Sequence, residues 1–286
     1  MGRPTGVCKM CLETKLLESS HLLPAALYDY CRGDGFVEPI AVTSDVVMSS
    51  SRQVQDYLLC KDCEDVLNRG GESWLAPKLA TYEKAFPLYD LVTSGPVLFD
   101  ENDCKVYCSV QNPIIEPDKI AHFAMGIFWK ASVHSWRSGE DEPMINLGPY
   151  SDKVRLYLKG EAPFPEHMAL AAVLSPPEVA YIGFNNPYEA VRDAYRNFMF
   201  TVPGIWFNLS VGKMITSEAL SLCIGSHVLR PIMISARIAA KGQERAYKVF
   251  NQARKTKSFR RAMEKVRLVR GQHRPSTDRA GADADS

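Results

Sequence analysis

The chain has 286 residues, of which 46% are hydrophobic and 23% charged. That profile reads as globular, with enough length for one large domain or two smaller ones, and no run of 18 or more apolar residues offers a transmembrane helix. The net charge of +1 conceals an asymmetry: residues 1–240 carry 21 Lys and Arg against 28 Asp and Glu, whereas residues 241–286 carry 13 against 5. An acidic body joined to a basic C-terminal arm points to a polyanion contact or an intramolecular clamp. The start, MGRPTGVCKMC, has no apolar leader, and Gly6 stands where a myristoylation pattern needs Ser or Thr. A cytoplasmic location without membrane attachment is the expectation.

In chain order, residues 1–75 read as a compact metal-organised unit. CKMC (8–11) and CKDC (60–63) are two C-x2-C pairs. Such knuckles turn two thiolates toward one ion, and two of them supply the four soft ligands of a closed tetrahedral zinc site at Cys8, Cys11, Cys60 and Cys63. The bland alternative is four free buried cysteines. Between the pairs lies LLESSHLLP (16–24). With four thiolates already closing the zinc site, His21 is free to act as a base, or to pack with a single satisfied hydrogen bond. A helix is predicted over Ala25–Cys31 after Pro24, then a loop with a short strand over 33–51. A second helix from Cys63 to Leu67 is expected to stop at Gly70 and Gly71.

Residues 76–240 are expected to form an α+β domain of helices and hairpins with no repeat. DCKVYCSV alternates as a strand, which places Cys104 and Cys108 on one face as packing residues rather than as a second metal site. IAHFAMGIFWKASVHSW (120–136) predicts a long buried helix, on which His122 and His134 would diverge by about 120° and share no ion. A shorter helix over Ser151–Lys159 and a strand over Met168–Leu174 follow. RNFMFTVPGIWFNLSVG (196–212) predicts a hairpin broken at Pro-Gly. Its aromatics Phe198, Phe200, Trp206 and Phe207 read as core, with base stacking as the sharper alternative. Residues 241–270 predict a basic amphipathic helix, either packed on the body or laid along phosphates. Residues 271–286 read as disordered.

The combination CKMC, SHLLP and LLCKDCE resembles the zinc-knuckle branch of the HNH, or ββα-metal, nucleases. It is similar to bacterial HNH-like proteins that carry a C-x2-C, SHxxP, LLCxxCE pattern. The resemblance covers roughly residues 8–75. It implies an N-terminal zinc-stabilised treble-clef or ββα-metal unit, with structural zinc on Cys8, Cys11, Cys60 and Cys63. It implies His21 as the general base that activates water against a DNA phosphodiester, and a separate catalytic magnesium or manganese ion. The family's loop-holding Asn falls on Gln55, and its last metal ligand falls on Glu64. The Asp that usually precedes the histidine is Ser20 here. The partners implied are DNA and, for the larger domain, a protein partner or activator. Two other readings stand beside the nuclease. One is a non-catalytic zinc-stabilised module that binds nucleic acid or protein. The other is a zinc-stapled structural protein whose function lies in the larger domain.

Overall fold

The structure, a computed structural model, describes residues 2–31, 40–42, 47–49, 53–79, 85–136, 141–179, 183–190 and 195–240, with seven single positions between 248 and 264. Its contacts divide the chain into Met1–Tyr30 with Gln53–Gln243, and Cys31–Arg52 with Glu244–Ser286.

In the first unit, β1 (Thr5–Val7) and β2 (Thr14–His21) are antiparallel, with Thr5 opposite Leu16. The CKMC run forms the turn between them. Cys8 N–H bonds to Glu13 O at 2.9 Å, Leu12 N–H to Cys8 O at 2.9 Å, and Leu12 sits in the left-handed region at φ 65°. Pro24 leads into α1 (Ala25–Tyr30). In the second unit, β3 (Ile40–Val42) pairs antiparallel with β4 (Val47–Ser49). Lys248, Asn251, Lys257, Arg260, Arg261 and Glu264 are helical, Lys255 is in a turn, and all seven are exposed. The rest of the expected basic helix and the whole expected tail lie outside the described residues.

The first unit resumes at β5 (Gln55–Cys60), which pairs antiparallel with β2 and sets Leu17 opposite Cys60 and His21 opposite Gln55. β5 runs directly into α2 (Lys61–Leu67), with Cys60 at its N-cap. The expected stop at Gly70 and Gly71 does not occur. The helix widens into a single π-turn, Asn68–Glu72, and continues as α3 (Ser73–Leu75). The glycines serve packing instead: a Cβ on Gly71 would lie 2.4 Å from Lys119 O. The site sequence patterning assigned to a helix stop is thus a close approach of two helices. Leu75, at the expected end of the cysteine unit, is fully buried in a core continuous with residues as far as Ile234.

Next come α4 (Pro87–Thr93), β6 (Val97–Glu101), β7 (Cys104–Cys108), α5 (Pro117–Val133), α6 (Tyr150–Leu158), β8 (Met168–Leu174), β9 (Asn185–Glu189), β10 (Arg196–Val202), β11 (Ile205–Val211), α7 (Ser217–Ser221) and β12 (Pro231–Ser235). The strands form a seven-stranded sheet in the order β6-β7-β12-β8-β11-β10-β9. Only β12 and β8 run parallel. The class is mixed α+β, as the pattern implies. The β10–β11 hairpin turns on Pro203 and Gly204, whose φ of +80° suits a glycine at the second corner. α5 lies on the sheet through Phe128 against Phe200 and Phe123 against Phe207, with ring centroids 4.9 and 6.0 Å apart. It begins three residues before the stretch read from sequence and ends at Val133, so His134 leaves the helix at φ −149°. Among the described residues no helix is long and apolar enough to cross a membrane.

Candidate metal centre and adjoining cleft

The β1–β2 turn and the β5–α2 junction bring the two C-x2-C pairs together. The sulfurs of Cys8, Cys11, Cys60 and Cys63 all lie within 4.8 Å of one another. Cys11 and Cys60 are 3.9 Å apart, close to the ~3.8 Å between sulfurs that a tetrahedron of ~2.3 Å metal–sulfur bonds requires. Cys60 N–H points to Cys8 Sγ at 3.4 Å. Burial alone would raise the Cys8 thiol, but the backbone N–H groups of Cys11, Cys60 and Met10 outweigh it and hold the thiol below its usual range. Burial pushes Cys11 and Cys63 up. Four thiols this close ionise together only around a cation, so the donor set can hold a metal ion. Among the described residues it is the only such cluster. Cys104 and Cys108 take no part: Cys108 donates to Leu229 O at 3.5 Å, and Cys104 packs beside Val106, Val173, Trp206 and Met233.

His21, the last residue of β2, lies outside the four-sulfur cluster. It opens into a cleft of about 330 Å³ whose other polar lining is Glu64, Asn68, Glu72, Ser73 and Lys130. Its ring has no hydrogen-bond partner among the described residues, while its carbonyl accepts from Lys130 Nζ at 2.7 Å. Glu64 follows the last cysteine on α2. Its carboxylate accepts from the Ser20 hydroxyl, and that hydroxyl in turn accepts from Leu59 N–H at 3.2 Å. Ser20 is 1% exposed. It therefore orients Glu64 and does not face a ligand in the cleft. Burial pushes the Glu64 carboxyl above its usual range, against the pull of Ser20 and the Lys130 charge.

Glu72 and Asn68 reach the cleft because the π-turn carries the helix face onward. Glu64, Asn68 and Glu72 are spaced four apart, so a continuous helix presents them as a ladder. Reading Gly70 as a stop hides that signal. Lys130 was missed as well: its signal is that it is the one formally charged residue in IAHFAMGIFWKASVHSW. It bonds Glu72 Oε1 at 3.2 Å and is 2% exposed. Gln55 stands opposite His21 on β5 but is exposed and does not line the cleft. The other two helix-region histidines are separate: His122 Nε2 meets Leu158 O at 3.0 Å, and His134 Nε2 meets Asp56 Oδ2 at 2.9 Å. The hairpin aromatics Phe198, Phe200, Trp206 and Phe207 are all buried, and none is offered for stacking on a base.

Compared with known proteins, the chain matches no protein-family model, no curated protein and no solved structure.

Proposed function

We propose that the chain is an HNH-like, metal-dependent endonuclease that hydrolyses DNA phosphodiesters, with His21 as general base and zinc on the four cysteines of a treble-clef-like unit. The observation that carries this reading is the placement of His21. His21 lines a cleft that Glu64 also lines, and its ring has no hydrogen-bond partner among the described residues. Neutral imidazole takes a proton from water as the water oxygen bonds to phosphorus. The bond from phosphorus to the leaving oxygen breaks, and its electron pair departs with that oxygen. Glu64, Glu72 and the Asn68 amide offer the oxygen donors a hard divalent ion takes. Magnesium or manganese there would supply charge stabilisation at the leaving oxygen. Gln55 keeps the place the resemblance gives it, yet makes no side-chain hydrogen bond to the His21 loop among the described residues. The basic arm is proposed to add phosphate contacts.

One feature favours the non-catalytic reading: Ser20 stands where the resemblance has a carboxylate, so the site carries one negative charge fewer for a cation, and the Ser20 hydroxyl occupies an oxygen of Glu64. Plasmid nicking with Mg²⁺ and with Mn²⁺ separates the two. A general base contributes about 10²–10⁴-fold, so His21→Ala should lose cleavage on that scale at unchanged zinc content. Cleavage equal in the two proteins, or absent from both, sinks the nuclease reading.

A further inference from the structure

We infer that Lys130 is the positioning residue of the cleft: from α5 of the larger sheet domain, its ammonium fixes the His21 backbone and thereby the direction of the imidazole. Its kinetic consequence rests on the nuclease reading; the positioning itself does not. A lysine ammonium is rarely buried unless it is paired. Lys130 is 2% exposed, and two of its three N–H groups are committed, to His21 O at 2.7 Å and to Glu72 Oε1 at 3.2 Å. His21 ends its strand, so nothing beyond it in β2 continues the ladder. On one side the next residue is tied to the neighbouring segment by Leu22 N–H to Val54 O at 2.9 Å. On the other side the Lys130 ammonium holds the carbonyl. The lysine is itself anchored, since Trp136 Nε1–H donates to Lys130 O at 2.8 Å.

The arrangement assigns to Lys130 the loop-holding work that the sequence resemblance gives to Gln55, whose side chain is exposed. α5 thereby completes the cleft that β2 and α2 begin. Glu72 supplies the counter-charge that keeps the ammonium in place. The π-turn that carries Glu72 packs on α5 through Gly70 and Gly71, where a Cβ would meet the His122 ring or the Lys119 carbonyl.

The test uses full-length Lys130→Met, with zinc content and circular dichroism confirming the fold. The first readout is the His21 ring resonances and their pH titration, with His167 and His227 as internal controls. Displaced His21 resonances and a shifted titration midpoint, with the controls unmoved, are the expected result. His21 resonances and midpoint that coincide with wild type overturn the inference. Where wild type cuts plasmid, kcat should fall about 100-fold, the scale of a 1 Å misplacement of reacting groups, with KM unchanged. Equal losses in kcat and in the controls' resonances would mark Lys130 as merely structural and overturn it too. A wild type that cuts nothing removes the nuclease reading while the imidazole readout still decides this one. Should Lys130→Met fail to fold, the wild type itself serves: a scalar coupling between Lys130 ¹⁵Nζ and the His21 carbonyl ¹³C is expected, and a visible ammonium without it overturns the inference.

Discussion

The three-stranded sheet that carries the cysteines and the seven-stranded sheet belong to one compact unit, yet they differ in what their side chains gather. In the first, β1 has three residues, and Val7, Leu12 and Leu16 are 55%, 58% and 58% exposed. Its inward groups include four sulfurs gathered at one point. In the second, Phe198, Phe200, Phe207 and Leu209 on adjoining strands are fully buried, and each such side chain contributes about 1.5–3 kcal/mol by leaving water. The cysteine-bearing strands send Met10, Leu17, Leu58 and Leu59 into the common core, and the four sulfurs add a point at which a metal ion could tie the β1–β2 turn to the start of α2. The cleft draws on both regions: β2 and α2 supply His21 and Glu64, and the apolar helix α5 supplies Lys130, the one buried cation among the described residues.

The largest effect should come from removing a metal held by the four cysteines. Structural zinc binds finger peptides with an apparent ~10–16 kcal/mol. Chelation, or Cys60→Ser, should abolish hydrogen-exchange protection across β1, β2, β5 and α2 while β8, β10 and β11 keep theirs. Simultaneous loss in both sheets would break the contrast and show one cooperative unit. Next in size is Phe128→Ala. This ring packs edge-on to Phe200 at 4.9 Å with no exposure, so truncation should cost about 3–5 kcal/mol, read by denaturant unfolding. Metal content at native conditions should stay at the wild-type level. A matching loss of metal would mean that the sheet domain holds the cysteine unit in place.

How much of this was legible in the sequence follows the same division. Metal ligands are dictated by residue type and spacing, so the four cysteines converge as their pattern requires. The long apolar run of α5 and the Pro-Gly hairpin are equally plain, because period and turn chemistry are local. What was hidden is non-local. β12 pairs β8 across a long stretch of chain, and PIMIS alone has no period that distinguishes it from any short apolar run. The glycines at 70 and 71 read locally as a stop, yet tertiary packing against Lys119 and His122 makes them a close-approach surface. Lys130 reads as an isolated polar interruption until the fold sets it beside His21 and Glu72. Ser20 is the same case: the sequence resemblance sets it where a metal ligand is expected, and the structure has it orient Glu64.

The smallest effect tests whether burial or charge governs that carboxyl. Burial raises Glu64 above its unfolded value, opposed by the Ser20 hydroxyl and the Lys130 charge. A carboxyl whose pKa is higher in the folded state favours folding when protonated. Its contribution is fully present below the unfolded value of ~4.3 and is lost as pH rises through the folded one. Glu64→Gln is neutral throughout and still accepts from Ser20, so it escapes that loss. Relative to wild type it should gain stability as pH rises from about 4.3 through the raised value, then hold level, in chemical unfolding at a series of pH values. Metal loss in acid affects both proteins and cancels in the difference. The reverse slope, with Glu64→Gln falling behind as pH rises, would mean that the Lys130 charge outweighs burial at Glu64. The cleft would then hold an ionised Glu64 beside Glu72, a stronger cation site than one with a neutral carboxyl.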